Sequence, residues 1–360
     1  MRDIPRAPHT LRAMTAPLNV ALVGYGFVGR VFHAPLISAV DGLTLHSLVS
    51  SKPDVVHADW PNARVRPDLL GVLADPAVDL VVLATPNVLH AEQARAALDA
   101  GKHVVVDKPF TVTLDEAERV AAHAQRAGRL LSVFHNRRWD SDFLTLRAVI
   151  ADGSLGTVTH FESHFDRFRP EVRDRWRERA GPGAGLWFDL GPHLLDQALQ
   201  LFGPPLGIVA DLAIQREGGE TDDYFHVVLR YHRLRVVLHA ATLVPANDLR
   251  FAVHGTRGSF VKSGLDAQEE ALKAGRVPGS GDWGVDPRPG TLTLVLGGAT
   301  STRMVPGEPG DYRRYYANLR DAIAGTGENP VSAAEGVAVM RLLEAGAESA
   351  RGRREVVTGM

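Results

Sequence analysis

The sequence predicts an α/β protein, a Rossmann-type doubly wound parallel sheet followed by an α+β region with an open, mostly antiparallel sheet. Three observations predict it. Strand-like and helix-like runs alternate up to about residue 140. The first strand runs straight into a glycine-rich turn. After Asp140 strand-like runs follow one another across short turns, as in an antiparallel sheet.

In order, "NVALVGYG" reads as a buried strand entering the turn, and "FVGRVFHAPLISAV" as a helix bent near Pro35. "LTLHSLVSS", "DLVVLATP" and "HVVVDKP" are further strands. The helix "VLHAEQARAALDAG" stops at Gly101, a fitting C′ residue. In "TLDEAERVAAHAQRAG", Thr113 and Glu116 form a capping box. "LLSVFHNRRW" completes this unit.

Strands are then expected at "TVTHFESHF", "GIVADLAIQRE", "YFHVVLRYH", "LRVVLHAATLV", "LRFAVHGTRGSFVK" and "TLTLVLGG". One helix near "GPHLLDQALQLFG" interrupts them, with Pro192 suited to its first turn, and two helices close the chain. Residues 1–17, with scattered charge and three prolines, read as a flexible extension; Met14 is an alternative start. The 360 residues exceed what one core ordinarily serves, so two domains are expected, over 18–140 and 141–360.

A net charge of −2 gives no argument for nucleic-acid or membrane partners. The chain has no cysteine, which excludes disulfides and thiolate catalysis. Neither a signal-peptide h-region nor an apolar run of about 20 residues is present, so a cytoplasmic location is expected.

Gly24-Tyr25-Gly26-Phe27-Val28-Gly29 matches G-x-G-x-x-G between a strand and a helix, the context that gives this motif its mechanism. Gly24 permits the tight turn, Gly26 lets backbone approach a pyrophosphate, and Gly29 lets helix and strand pack closely. The second strand ends in Ser50-Ser51-Lys52, where an NAD site would place an acid on the ribose hydroxyl. Two hydroxyls and an ammonium suit a 2′-phosphate, so NADP is expected rather than NAD. Asp54, after Pro53, belongs to the first turn of the next helix.

Ligands of open α/β sheets bind beyond the carboxyl ends of the strands. Thr85-Pro86-Asn87 and Asp107-Lys108-Pro109 occupy such ends. A partly desolvated Lys108 ammonium there can stabilise developing charge on a substrate oxygen. Asp189 and His193 stand one helical turn apart if their helix starts early. The histidine can take an alcohol proton as hydride leaves carbon, and the aspartate can orient the ring or bind a substrate hydroxyl.

With these motifs in place, "GYGFVG", "ATPNVLH", "DKPF", "NRRWD" and "GAGLWFDLGPH" together resemble the Gfo/Idh/MocA oxidoreductase family over nearly the whole chain. "VFHAPLI", "RWRE" and "HGTRGSFVKSGLDAQE" resemble its NADP-dependent scyllo-inositol dehydrogenase branch. The resemblance implies that Lys108 is the lysine of the family's E-K-P motif, and Asp189 and His193 its D-x-x-x-H pair. Asp107 stands where the family usually has glutamate, which keeps the charge and shortens the reach. Cofactor contacts are expected from the glycine turn, Ser50 to Lys52, Thr85, Pro86, Asn87, His90, Asp107, Lys108, and Asn136, Arg137 and Trp139. The implied substrate is a polyol, cyclitol or sugar, and the second sheet is expected to form a homodimer or homotetramer.

For the substrate pocket, "HFESHFDRFRP" alternates like a strand leaving the sheet. His164, Asp166, Arg167, Arg169 and Trp176 are the candidates. The chain shows no clustered carboxylates at metal spacing, so no metal site is expected.

Overall fold

A computed structural model describes residues 16–246 and 248–360. The extension expected over residues 1–17 lies outside the described residues except at Ala16 and Pro17. The first sheet comprises β1 (Leu18–Val23), β2 (Leu43–Val49), β3 (Arg64–Arg66), β4 (Leu80–Leu83), β5 (His103–Val106) and β6 (Leu131–Val133). They are all parallel and ordered β3-β2-β1-β4-β5-β6. The order reverses between β1 and β4, which places a ligand crevice beyond their carboxyl ends. β1, β4 and β5 are covered on both faces, so Val20, Leu22, Leu80 to Leu83 and Val104 to Val106 are fully buried. The sequence did not reveal β3, whose Arg-Val-Arg carries no apolar run.

The helix after the glycine turn begins at Phe27, passes through a π-helical turn at Gly29–His33, and continues as α1 (Ala34–Ser38). The break falls just before Pro35, whose missing N–H suits it to the start of a new turn. Then come α2 (Pro53–Asp59), α3 (Leu69–Leu73), α4 (His90–Asp99), α5 (Leu114–Ala127) and α6 (Ser141–Ala151). The Thr113–Glu116 capping box is formed at the start of α5.

The second sheet has nine strands: β7 (Val158–His164), β8 (Gly207–Ala213), β9 (Tyr224–Arg230), β10 (Arg235–Ala241), β11 (Leu249–Gly255), β12 (Gly258–Ser263), β13 (Gly290–Leu296), β14 (Ala299–Val305) and β15 (Val356–Val357). All its pairs are antiparallel except β7 with β10. "LRFAVHGTRGSFVK" is thus two strands, and β14, highly exposed along its length, escaped the sequence reading. One face buries Phe161, Phe225, Leu238, Phe251 and Phe260 beneath α6, α7 (Leu186–Phe202) and α10 (Ala333–Gly352). Between β12 and α10 lie α8 (Gln268–Lys273) and α9 (Arg313–Ile323).

The closing helices pack back on the first sheet. Tyr315 on α9 donates to Ser132 Oγ at 2.8 Å, and Val133 N donates to Val331 O at 3.2 Å. No helix among the described residues is long and apolar enough to cross a membrane.

The start of α7 corrects the sequence reading. Pro192 sits inside the helix, not in its first turn. Leu186 N donates to Asp222 O (2.8 Å) and Trp187 N to Asp222 Oδ2 (2.6 Å), so a distant residue caps the helix and starts it early.

Candidate active site

Two cavities meet at the glycine turn. One, of about 760 Å³, is bounded by Gly24, Tyr25, Gly26, Ser50, Ser51, Lys52, Asp68, Thr85 and Glu92. The other, of about 330 Å³, is bounded by Phe27, Val28, Asp107, Lys108, Asn136, Arg137, Asp189 and His193, with a series of arginines. The turn geometry requires its glycines. Gly24 adopts φ +99°, and a Cβ there would stand 2.6 Å from Ala84 O. A Cβ at Gly29 would run into the Gly24 carbonyl oxygen, whereas one at Gly26 would meet nothing within 4 Å. Gly26 therefore offers open backbone where a pyrophosphate approaches, and the helix starting at Phe27 aims its N-terminal end there. These residues fit a dinucleotide. Tyr25 is held below the turn, its hydroxyl donating to Asp59 (2.8 Å) and accepting from Trp60 (2.8 Å).

At the other end, β5 runs buried to Val106 and then delivers Asp107 and Lys108; the Lys108–Pro109 peptide is cis. Lys108 Nζ donates to the Asp189 carbonyl oxygen at 2.7 Å and to Asp189 Oδ1 at 3.0 Å. An ammonium has three donors, so one remains for a ligand. Burial would raise the Asp189 pKa, but Lys108, Arg177 and Arg167 outweigh it and hold the carboxyl well below its usual range. Asp107 is 5 % exposed. Burial opposes its ionisation, yet His33, at 3.8 Å, and Lys108 keep it below the ordinary carboxylate value.

One face of α7 carries the rest. Asp189, His193, Asp196 and Gln197 follow the helical period and point at the first sheet. Asp196 accepts a bidentate pair from Arg138, at 2.6 and 2.9 Å, and Gln197 donates to Arg137 O at 3.0 Å. These ties fix His193 in the cleft. Neither of its ring nitrogens has a hydrogen-bond partner among the described residues, and Nδ1 is fully buried. Burial, then the charges of Lys108 and Arg137, push the His193 pKa well below the imidazole value, so the ring is neutral. Asp189 does not touch His193. Its carboxylate is engaged by Lys108 and, at 3.7 Å, by Arg177, so the expectation that it orients the ring is corrected.

Other candidates are placed less directly. His90 is buried (1 % exposed), with Nδ1 at 3.0 Å from Pro109 O and Nε2 at 3.0 Å from Thr85 O. It ties the tips of β4 and β5 together, with both ring nitrogens engaged by carbonyl oxygens. Asn87 donates to Gly183 O at 2.9 Å, joining the β4 tip to the loop before α7. Trp139 packs edge-on against Tyr315 and does not border the cavity.

His164 and Asp166 are also displaced from expectation. β7 turns Phe161, Ser163 and Phe165 inward, so these two side chains lie on the opposite face, outside the cavity's lining. Trp176 is exposed and stacks under Arg177. Arg167 and Arg169 do border the cavity. No metal site was expected, yet the fold gathers His164, Asp166 and His239 from two strands, a grouping invisible to spacing along the chain.

Several groups at or near the cavity escaped the sequence reading. Glu269 and Lys273 arrive on α8, and Glu269 binds Arg137 at 2.5 Å. Arg173 borders the cavity as well. His135, one residue before the quoted "NRRWD", is buried near Lys108 and Asp196 with both nitrogens unpartnered. Its position at the end of β6 was the signal that could have found it.

Comparison with known proteins agrees with this architecture. Residues 18–135 match the family model for the NAD-binding Rossmann fold of the GFO_IDH_MocA oxidoreductases, and residues 147–358 that for their C-terminal alpha/beta domain. The chain is 53% identical to the uncharacterized oxidoreductase YdgJ of Escherichia coli, over 94% of this chain and 98% of that one. It is 42% identical to the Bacillus subtilis scyllo-inositol 2-dehydrogenase (NADP(+)) IolW, over 94% and 96%. Among solved structures, yvaA of Bacillus subtilis superposes with a TM-score of 0.93 at 41% identity, covering 96% of this chain and 99% of that one.

Proposed function

Because the chain belongs to the Gfo/Idh/MocA oxidoreductase family, we propose that it transfers a hydride between NADP(H) and a CH–OH carbon of a polyol, cyclitol or sugar. A scyllo-inositol-like substrate leads, on the likeness to IolW. The observation that carries the reading is the convergence of Lys108, Asp189 and a neutral, unpartnered His193 at one end of a dinucleotide-shaped cleft. When bound, the nicotinamide exchanges the hydride at C4. His193 takes the hydroxyl proton in oxidation and returns it in reduction. Lys108 donates a hydrogen bond to the reacting oxygen as charge develops there. Asp189 holds the ammonium in place. At the far end, Ser50, Ser51 and Lys52 receive the 2′-phosphate. Homologous assembly through the second sheet, as a dimer or tetramer, is part of the same proposal.

A second reading of the substrate rests on the cavity wall. The guanidinium groups of Arg167, Arg169 and Arg173 border it without a hydrogen bond or ion pair among the described residues. Burial pushes the Arg167 pKa down to about 10, and its guanidinium lies over the Phe165 ring, 4.9 Å away. Desolvated, unpaired guanidinium is costly and matches carboxylate or phosphate. This favours a polyol or sugar bearing an acid group.

A panel of neutral cyclitols, sugars, aldonates and uronates, followed at the NADPH absorbance with both cofactors, tests the proposal. Turnover of a polyol with NADP supports it. Equal or better rates with NAD overturn the cofactor assignment, and tight NADPH binding without turnover of any member points to a dinucleotide sensor. A lower KM for acids, lost in Arg167→Gln, selects the second reading.

A further inference from the structure

The face of the nine-stranded sheet turned away from α7 carries a group of side chains that the hydride-transfer site does not use. His164 ends β7, and its neighbour in register on the parallel strand β10 is His239. Asp166 follows His164 by two residues and so returns to the same face of the extended chain. One donor atom from each of the three lies within 4.8 Å of the others.

We propose that His164, Asp166 and His239 form a binding site for a divalent first-row transition ion of the Zn²⁺ class. The separations favour an ion over hydrogen bonds alone. His164 Nδ1 stands 3.4 Å from Asp166 Oδ2, and His239 Nε2 stands 3.3 Å from Asp166 Oδ1. Charge-assisted hydrogen bonds usually close to about 2.7–2.9 Å. Ligand atoms about 2.0–2.1 Å from one tetrahedral metal stand about 3.4 Å apart, and since the two rings face different carboxylate oxygens, Asp166 would chelate the ion through both.

The outer contacts are also those of a metal site. His164 Nε2 bonds Glu162 Oε2 at 2.9 Å, a carboxylate–histidine pair that sets the ring and leaves Nδ1 to face Asp166. Asp166 Oδ1 accepts from Ala241 N at 2.9 Å, which orients the carboxylate. All three residues are largely buried, with side-chain exposures of 16 %, 7 % and 16 %. Two imidazoles and one carboxylate select Zn²⁺, Co²⁺ or Ni²⁺ over Mg²⁺ or Ca²⁺, which prefer all-oxygen shells. Three protein ligands leave a fourth position for water. The ion would join β7 to β10 where β7 leads into the arginine-bearing segment 167–177.

The test uses tag-free protein in its native assembly, treated with EDTA and desalted. It is then titrated with Zn²⁺ by calorimetry and with Co²⁺ by visible absorption. One ion per chain is expected, with Co²⁺ bands of a low-coordinate nitrogen–oxygen site. His164→Ala and His239→Ala should each abolish saturable uptake. Glu162→Gln should weaken it by about 10–100-fold at unchanged stoichiometry. Circular dichroism and NADPH binding establish folding, and His239→Gln replaces His239→Ala if the latter does not fold. Absence of stoichiometric Zn²⁺ uptake overturns the proposal. So does uptake that survives both histidine variants, which would place the ion elsewhere, for instance on His160 and His254.

Discussion

The two ends of the cofactor cleft are built by different means. The end bounded by Ser50 to Lys52 is local. Its strand, glycine turn and second strand tip lie close together in sequence, and each residue type states its use. The reacting end is collected from remote segments: the β5 tip, the turn after β6, the 167–177 loop, α7 and α8. One end recognises a constant molecule with backbone and a few side chains, which a short motif encodes. The other, on the proposed function, holds a proton carrier and a charge beside a variable substrate, and it depends on ties between remote segments.

The largest effect should come from those ties. Arg138 and Asp196 are both nearly fully buried and joined bidentately. Arg138→Ala leaves the carboxylate buried without its main partner, and such losses cost about 3–5 kcal/mol. Denaturant titration checks this, and destabilisation below about 1 kcal/mol would show that α7 is held by packing instead.

Next is Lys108→Ala. It should lower kcat by about 10²–10³-fold, the cost of removing one donor from a developing oxyanion. NADP(H) affinity should stay within a few-fold by fluorescence titration. A large loss of affinity with unchanged kcat would move Lys108 from the reacting end to a cofactor-holding role.

Smaller is Lys52→Glu at the local end. Hydrogen bonds to charged groups contribute about 1.5–3 kcal/mol, so NADP binding should weaken about 10–100-fold while NAD binding is spared. Parallel loss of both cofactors would contradict the reading of Ser50 to Lys52.

The subtlest effect is on pH dependence. Burial and then Lys108 push the His193 pKa well below about 6.5, so the neutral base persists below that pH. The acid limb of kcat/KM for oxidation should therefore lie well below pH 6.5. Lys108→Met removes a positive charge, raises the His193 pKa and should move that limb to higher pH. The same depressed pKa means the fold loses stability as pH falls below the unfolded histidine's value, since only the unfolded ring then binds the proton readily.

This contrast also explains what the sequence made legible. The fold class was readable because both periodicities were strong and the glycine turn sat between a strand and a helix. The Thr113–Glu116 cap was readable for the same local reason. The early start of α7 was not, because Asp222 caps it from across the fold. The setting of the His90 ring was not legible either, because the two carbonyl oxygens that engage it lie on different strand tips. Glu269 and Lys273 carried no local signal, since α8 reaches the cleft from far along the chain. His164 and Asp166 were given the wrong face because alternation fixes which residues share a face, not which face meets the cofactor.

The central claim is that the reacting end is a proton-transfer site served by His193. Its most direct test is single-turnover hydride transfer from NADPH to a ketone confirmed as substrate, comparing wild type with His193→Ala at matched cofactor occupancy. The account predicts unchanged NADPH binding and a transfer rate lowered by about 10²–10⁴-fold. Transfer at the wild-type rate in His193→Ala would contradict it.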